Sequence, residues 1–154
     1  MKIAFGCDHA GFSLKAPVVK HLEELGYEVV DFGCYSPERV DYPVQGEKAA
    51  RAVASGECEL GVLICGTGIG ISLAANRVRG IRAAVCSEPY SAELTRRHNN
   101  ANMIAFGARV IGVETAKDIV DAWLGAEYEG GRHQVRIDML AEIEQTQALE
   151  AAAE

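Results

Sequence analysis

The chain has 154 residues, 49% hydrophobic and 24% charged, which suits one globular domain with a real core. Its 15 lysines and arginines against 22 aspartates and glutamates give a net charge of -7, which argues against general affinity for nucleic acid or for an anionic membrane surface. No apolar run approaches the ~20 residues needed to span a bilayer, and any anionic ligand must be held by a local basic cluster.

Lys2 to Cys7 reads as a buried strand, and Phe12 to Leu25 as a helix with its apolar stripe at Leu14, Val18, Leu22 and Leu25, stopped by Gly26. Pro17 is tolerable early in that helix, which requires a start close to Ser13. Tyr27 to Phe32 is the second strand, a loop runs from Gly33 to Pro43, and a helix covers about Val44 to Ser55. Leu60 to Ile64, Arg82 to Cys86 and Met103 to Phe106 are further strands, alternating with helices at Ile69 to Val78, Ser91 to His98 and Glu114 to Leu124. Strands separated by helices of this size imply right-handed crossovers. The fold expected is a three-layer α/β/α, doubly wound, five-stranded parallel sheet of the Rossmann-like kind.

Gly130-Gly131 breaks the chain before a helical stretch with Val135, Met139 and Ile143 on one stripe and Arg132 and Arg136 one turn apart. Residues 1–130 then form the α/β core and 131–154 a C-terminal helical arm of the same domain. Such arms commonly pack on a partner subunit, so a homodimer at least is expected, and Ala148 to Glu154 should fray. The five cysteines form an odd set without a CxxC, and Met1-Lys2-Ile3-Ala4 enters a strand without a signal-peptide pattern, which suggests a reduced, cytoplasmic protein. The four histidines lack close metal-ligand spacing, so no metal is called for.

The segment richest in chemistry is Cys65-Gly66-Thr67-Gly68-Ile69-Gly70-Ile71-Ser72, directly after the apolar run Leu60-Gly61-Val62-Leu63-Ile64. Glycines there let successive N–H groups aim at an anion, and the following helix presents its positive end. An ordinary thiol ionises near pH ~8.5, and such a field favours the thiolate, which makes Cys65 a candidate base or nucleophile. The spacing G-x-G-x-G after a third strand is not that of a dinucleotide loop, so no nicotinamide cofactor is expected. In doubly wound sheets ligands bind at the carboxyl ends of the strands, where Asp8, His9, the Cys65 to Gly70 loop and Arg109 all fall. Each candidate also has a plainer alternative. Cys65 could be a small core hydrophobe, His98 a complement to a helix dipole, Asp8 a helix cap and Asp41-Tyr42-Pro43 a turn. Arg109, Arg132 and Arg136 could be paired surface charges, although two arginines one turn apart make a fork for a phosphate.

Asp8-His9-Ala10-Gly11, Asp41-Tyr42-Pro43, the Cys65 to Ser72 loop with Ala74-Ala75-Asn76, Gly80-Ile81-Arg82-Ala83-Ala84, Arg97-His98-Asn99-Asn100-Ala101-Asn102 and Gly130-Gly131-Arg132-His133 together resemble the ribose-5-phosphate isomerase B family. The resemblance runs from Met1 to about Ile143. The family also contains galactose-6-phosphate and allose-6-phosphate isomerases, so it specifies the substrate less closely than the reaction.

The resemblance implies aldose–ketose isomerisation of ribose 5-phosphate and ribulose 5-phosphate through an enediolate, with no cofactor. Cys65 matches the family's catalytic thiol and His98 the residue proposed to open the furanose ring. Thr67 and the backbone of Gly66, Gly68, Ile69 and Gly70 would hold the oxyanion, and preorganised donors of this kind are typically worth ~3 kcal/mol each. By the same resemblance Asp8, His9, Tyr42 and Asn99 are sugar-binding residues, Arg109, Arg132 and Arg136 contact the phosphate, and the site forms where two subunits meet, in a homodimer or a dimer of dimers. Some members replace the cysteine and use a glutamate farther along the loop. Here Ser72-Leu73-Ala74-Ala75-Asn76 offers no acid, which favours the cysteine route. Two other functions stay open: an isomerase of six-carbon aldose phosphates, and a sugar-phosphate binding module without chemistry.

Overall fold

In the computed structural model, which describes residues 1–154, five short apolar runs pair as strands β1 (Lys2–Cys7), β2 (Glu28–Asp31), β3 (Leu60–Cys65), β4 (Ala83–Val85) and β5 (Met103–Gly107). Each strand is followed by a helix: α1 (Phe12–Glu24), α2 (Tyr42–Ala54), α3 (Ile69–Asn76), α4 (Pro89–Asn99) and α5 (Val113–Leu124). A last helix, α6 (Arg132–Ala153), lies beyond the sheet. All pairings are parallel and the strand order is β2-β1-β3-β5-β4, the doubly wound sheet that the alternation predicts.

Successive side chains of a strand point to opposite faces, and this splits the core in two. Ile3, Phe5, Val62, Ile64, Ile104 and Phe106 meet Leu14, Val18, Leu22, Ile119, Val120 and Trp123 from the layer of α1, α4 and α5. Ala4, Leu63, Cys65, Met103 and Ala105 meet Ala49, Ala50, Val53, Ile71 and Ala75 from α2 and α3 on the other face. Trp123 is fully buried, and its indole N–H donates to the Ala101 carbonyl at 3.2 Å. The chain winds outward from β1 to β2 and restarts at β3 on the other side. The crevice at the carboxyl ends of β1 and β3 is therefore the switch point of the sheet.

Most element ends shift by a residue or two from the sequence expectation. α2 opens at Tyr42, with Pro43 in its first turn where no N–H is needed, and α4 opens at Pro89 because the Glu88 carboxylate accepts the Ser91 N–H at 2.9 Å. α1 begins at Phe12, so Pro17 lies in its second turn and offers no N–H to the Ser13 carbonyl. The tail is a clearer difference: where fraying is expected from Ala148, α6 continues to Ala153. Alanine, leucine, glutamate and glutamine are strong helix formers, and they extend the helix without any packing to help. Only His133 and Ile137 of α6 are buried, while Val135, Met139, Leu140 and Ile143 stay more than half exposed. All five cysteines are free, and no helix is long and apolar enough to cross a membrane.

Candidate active site

β3 ends at Cys65 and the chain turns at once into α3. Gly68 takes φ 81° at the helix N-cap, and a Cβ there would come within 2.7 Å of the Phe106 backbone, so only glycine fits this turn. The turn brings the Gly68 N–H to the Cys65 Sγ at 3.1 Å, and the Ile69 N–H to the Thr67 hydroxyl oxygen at 3.2 Å. The N–H groups of Gly66, Thr67, Gly70 and Ile71 have no acceptor in the chain. A nearly buried sulfur thus sits beside a cluster of unclaimed donors at a helix N-terminus. Cys65 also packs in the apolar layer under α2 and α3, so the core position and the chemical position are the same one.

The other residues of this edge surround the loop. Asp8, buried after β1, accepts the Gly11 N–H on Oδ1 at 2.9 Å, so it shapes the entry into α1 but does not cap the helix itself. His9 uses Nδ1 on the Val40 backbone at 3.2 Å, which leaves Nε2 unbonded. Tyr42 opens α2 with its ring against Gly70, where a Cβ would meet it at 2.7 Å. Arg109, exposed after β5, lies along Gly66 and donates its backbone N–H to the Gly66 carbonyl at 3.1 Å.

The remaining candidates lie elsewhere. Arg82, just before β4, donates its guanidinium to the Asn99 and Asn100 carbonyls and its N–H to the Asn102 side chain. His98 and Asn99 therefore sit at the amino edge of the sheet. β5 separates that edge from Cys65 by about 16 Å at ~3.3 Å per residue. Arg132 and Arg136, on the first turns of α6, are exposed and belong to the His98 side through the contact of α6 with α4. One chain thus holds Asp8, His9, Tyr42, Cys65 to Gly70 and Arg109 together, and His98, Asn99, Arg132 and Arg136 apart from them. Arg109, Arg132 and Arg136 form no ion pair, although the chain carries an excess of acids.

His98 stands in a group that sequence spacing does not reveal. Its ring stacks on His133, with centroids 4.3 Å apart and planes 11° from parallel, and Glu129 lies 3.7 Å from the Nε2 of each. Burial, followed by nearby Arg132, pushes the His133 proton affinity below the ordinary imidazole value. The Arg97 guanidinium, hydrogen-bonded at 2.7 Å, holds the Glu129 carboxyl below the usual carboxylate range. The three ligand atoms lie within 4.8 Å of one another. The near-parallel rings direct their in-plane lone pairs side by side and not at one point, and each Nε2 faces the Glu129 carboxylate instead. An open groove of about 500 Å³ runs between β4 and α6, lined by Arg82, Ala83, Asn99, Ile137, Leu140 and Ile143 among others, and the thiol lies outside it.

Fold and site together define a family. Residues 3–140 match the Ribose/Galactose Isomerase family, and the chain belongs to it. The chain is 63% identical over 144 residues to ribose-5-phosphate isomerase B of Escherichia coli strain K12, covering 94% of this chain and 97% of that protein. It superposes on the structure of Clostridium thermocellum ribose-5-phosphate isomerase B with a TM-score of 0.94 at 54% identity, covering 96% and 99% of the two chains. Ribose-5-phosphate isomerase B of Mycoplasma genitalium, solved with bound ribulose-5-phosphate, gives a TM-score of 0.89 at 39% identity and covers 94% and 96%.

Proposed function

We propose that this chain is an aldose–ketose isomerase that interconverts ribose 5-phosphate and ribulose 5-phosphate. The observation that carries this is 63% identity, across 94% of the chain, to a ribose-5-phosphate isomerase B. The Cys65 sulfur beside unclaimed amides supplies the chemistry. His98 gives a proton to the ring oxygen as the C1–O4 bond breaks, and the O1 hydroxyl loses one, leaving the open aldehyde. The Cys65 thiolate then takes the proton from C2, and the electron pair forms the C1–C2 double bond of an enediolate whose charge rests on O1. The amides of Gly66, Thr67, Gly70 and Ile71 stabilise that oxyanion, with the Thr67 hydroxyl beside them. The thiol returns the proton to C1 while the O2 proton moves to O1, which yields the ketone.

Asp8, His9, Tyr42 and Asn99 hold the sugar hydroxyls, and Arg109, Arg132 and Arg136 hold the phosphate. Because Cys65 and His98 lie at opposite edges of one chain, the working site takes His98, Asn99, Arg132 and Arg136 from a partner subunit in a homodimer or dimer of dimers. The exposed stripe Val135, Met139, Leu140 and Ile143 gives the arm, residues 131–154, a surface for that packing. Five free thiols and an acidic surface fit a reducing, cytoplasmic setting.

Mixing two inactive variants tests both the reaction and the shared site. Cys65→Ala and His98→Asn should each lose ribose 5-phosphate turnover, and dimers reassembled from both should recover about a quarter of wild-type activity, because half are hybrids with one intact site in two. No recovery from verified hybrids would place the whole site in one chain. The family description also names galactose, so a faster turnover of galactose 6-phosphate would move the substrate to six carbons. Sugar-phosphate binding by the wild type without any turnover would leave only a binding module.

A further inference from the structure

His98 is a poor proton carrier unless something fixes its plane and its charge, and the residues around it are arranged to do both. Glu129 is clamped from behind: Arg97 donates Nε to its Oε2 at 2.7 Å, the Arg97 carbonyl accepts its backbone N–H at 3.0 Å, and Glu93 steadies Arg97 at 3.0 Å. Its two carboxylate oxygens then divide between the rings, Oε2 facing His98 Nε2 and Oε1 facing His133 Nε2, each at 3.7 Å.

The two rings are not equivalent. His133 is 6% exposed, its Nε2 is buried without a hydrogen-bond partner, and Arg132 and Arg136 stand on its own helix. The His98 side chain keeps a third of its surface open. Two stacked imidazolium rings would repel, so the pair holds at most one extra proton, and burial together with the α6 arginines disfavours it on His133. The groups facing His98 are thus His133 from α6, Glu129 from the preceding segment and Arg97 from α4, with Arg132 and Arg136 one step farther.

We propose that Glu129 and His133 are positioning residues for ring opening: the uncharged His133 ring fixes the plane of His98, and the Glu129 carboxylate keeps the proton on His98 where the sugar can take it. This rests on the ring-opening role given to His98 above. The proton passes from His98 to the ring oxygen as the C1–O4 bond breaks, and the proton released from the O1 hydroxyl restores the imidazolium.

Ribulose 5-phosphate cannot close a five-membered ring because its O5 carries the phosphate, so exchange of its C1 protons with deuterium oxide needs Cys65 but not ring opening. In the full-length enzyme, Glu129→Gln should lower ribose 5-phosphate turnover about tenfold at neutral pH and move the alkaline limb of its pH profile to lower pH, with deuterium exchange little changed. His133→Phe, which keeps a stacked ring, should retain far more turnover than His133→Ala. An unmoved pH profile in Glu129→Gln, with His98→Asn still impaired on ribose 5-phosphate, would overturn the positioning role and leave that of His98 standing. Full ribose 5-phosphate turnover in His98→Asn would instead remove the reading beneath it. If the variants do not fold, NMR titration of the wild-type His133 decides: its ring should take up a proton only below the ordinary imidazole range, and a His133 that is already protonated at neutral pH overturns the proposal.

Discussion

The two edges of the sheet carry the two halves of the candidate site in different materials. At the carboxyl edge the parts are backbone: a glycine turn, four N–H groups without acceptors and one sulfur held by the Gly68 amide. At the amino edge they are side chains on helix ends, with His98, Glu129 and His133 ordered by stacking and charge and Arg132 and Arg136 left unpaired. A backbone site is rigid as soon as its strand and helix form, because the core dictates it. A side-chain site needs further contacts, here the stack of His98 on His133 and the ion pair of Arg97 with Glu129. The contrast predicts that a change in the backbone turn at the carboxyl edge reaches both chemistry and folding, whereas loss of a single side chain, at either edge, separates them.

The largest effect should follow from removing the sulfur. Cys65→Ala should lower both ribose 5-phosphate turnover and C1 deuterium exchange of ribulose 5-phosphate by ~10³-fold or more, since the thiol is the only base within residues 65–72 of the loop. Binding of inorganic phosphate, followed by calorimetry, should change little because the amides and arginines remain. Comparable loss of phosphate binding would mean that the thiol holds the cradle in shape, which would erase the distinction between chemistry and scaffold at this edge.

How far each edge was legible follows from the same contrast. The carboxyl edge reads directly because its parts are contiguous: an apolar run, then Cys65 and glycines at fixed offsets, with Asp8 and His9 at the end of β1 by the same strand logic. Tyr42 was less plain, since Asp41-Tyr42-Pro43 looks like a turn, and only packing puts its ring against Gly70. The amino edge was legible as two motifs, Arg97-His98-Asn99 and Gly130-Gly131-Arg132-His133, but not as one cluster. Residues 35 positions apart meet there only because α6 folds back on α4, and no spacing rule reports a stack across a tertiary contact. Glu129 left no signal at all, being one acid among 22 acidic residues until Arg97 is seen to hold it.

A smaller but still large effect is expected from one methyl group at the turn. In Gly68→Ala the new Cβ would press on the Phe106 backbone at 2.7 Å and force a side chain into φ 81°, so the loop must move or strain must persist. The expected loss is about 3 kcal/mol of stability, from the positive φ and the clash together, with turnover falling alongside. Chemical denaturation with parallel assays checks both. Unchanged stability with lost turnover would show that the turn is free to rearrange, and the carboxyl edge would then be less backbone-determined than its core packing suggests.

The smallest effect belongs to the end of α6, which lies at neither edge. From Ala148 to Glu154 every residue is exposed, including Leu149 at 66%, and the helix there rests on intrinsic propensity. Removing these seven residues, 148–154, should therefore leave turnover within about twofold and the melting temperature nearly unchanged, because surface changes that touch nothing are usually worth less than ~0.5 kcal/mol. A truncated chain that lost its subunit assembly on a sizing column, or its turnover, would show that a partner grips the end of the helix. The amino edge would then extend along the whole arm, and the stretch that forms no contact in one chain would be part of what completes the site.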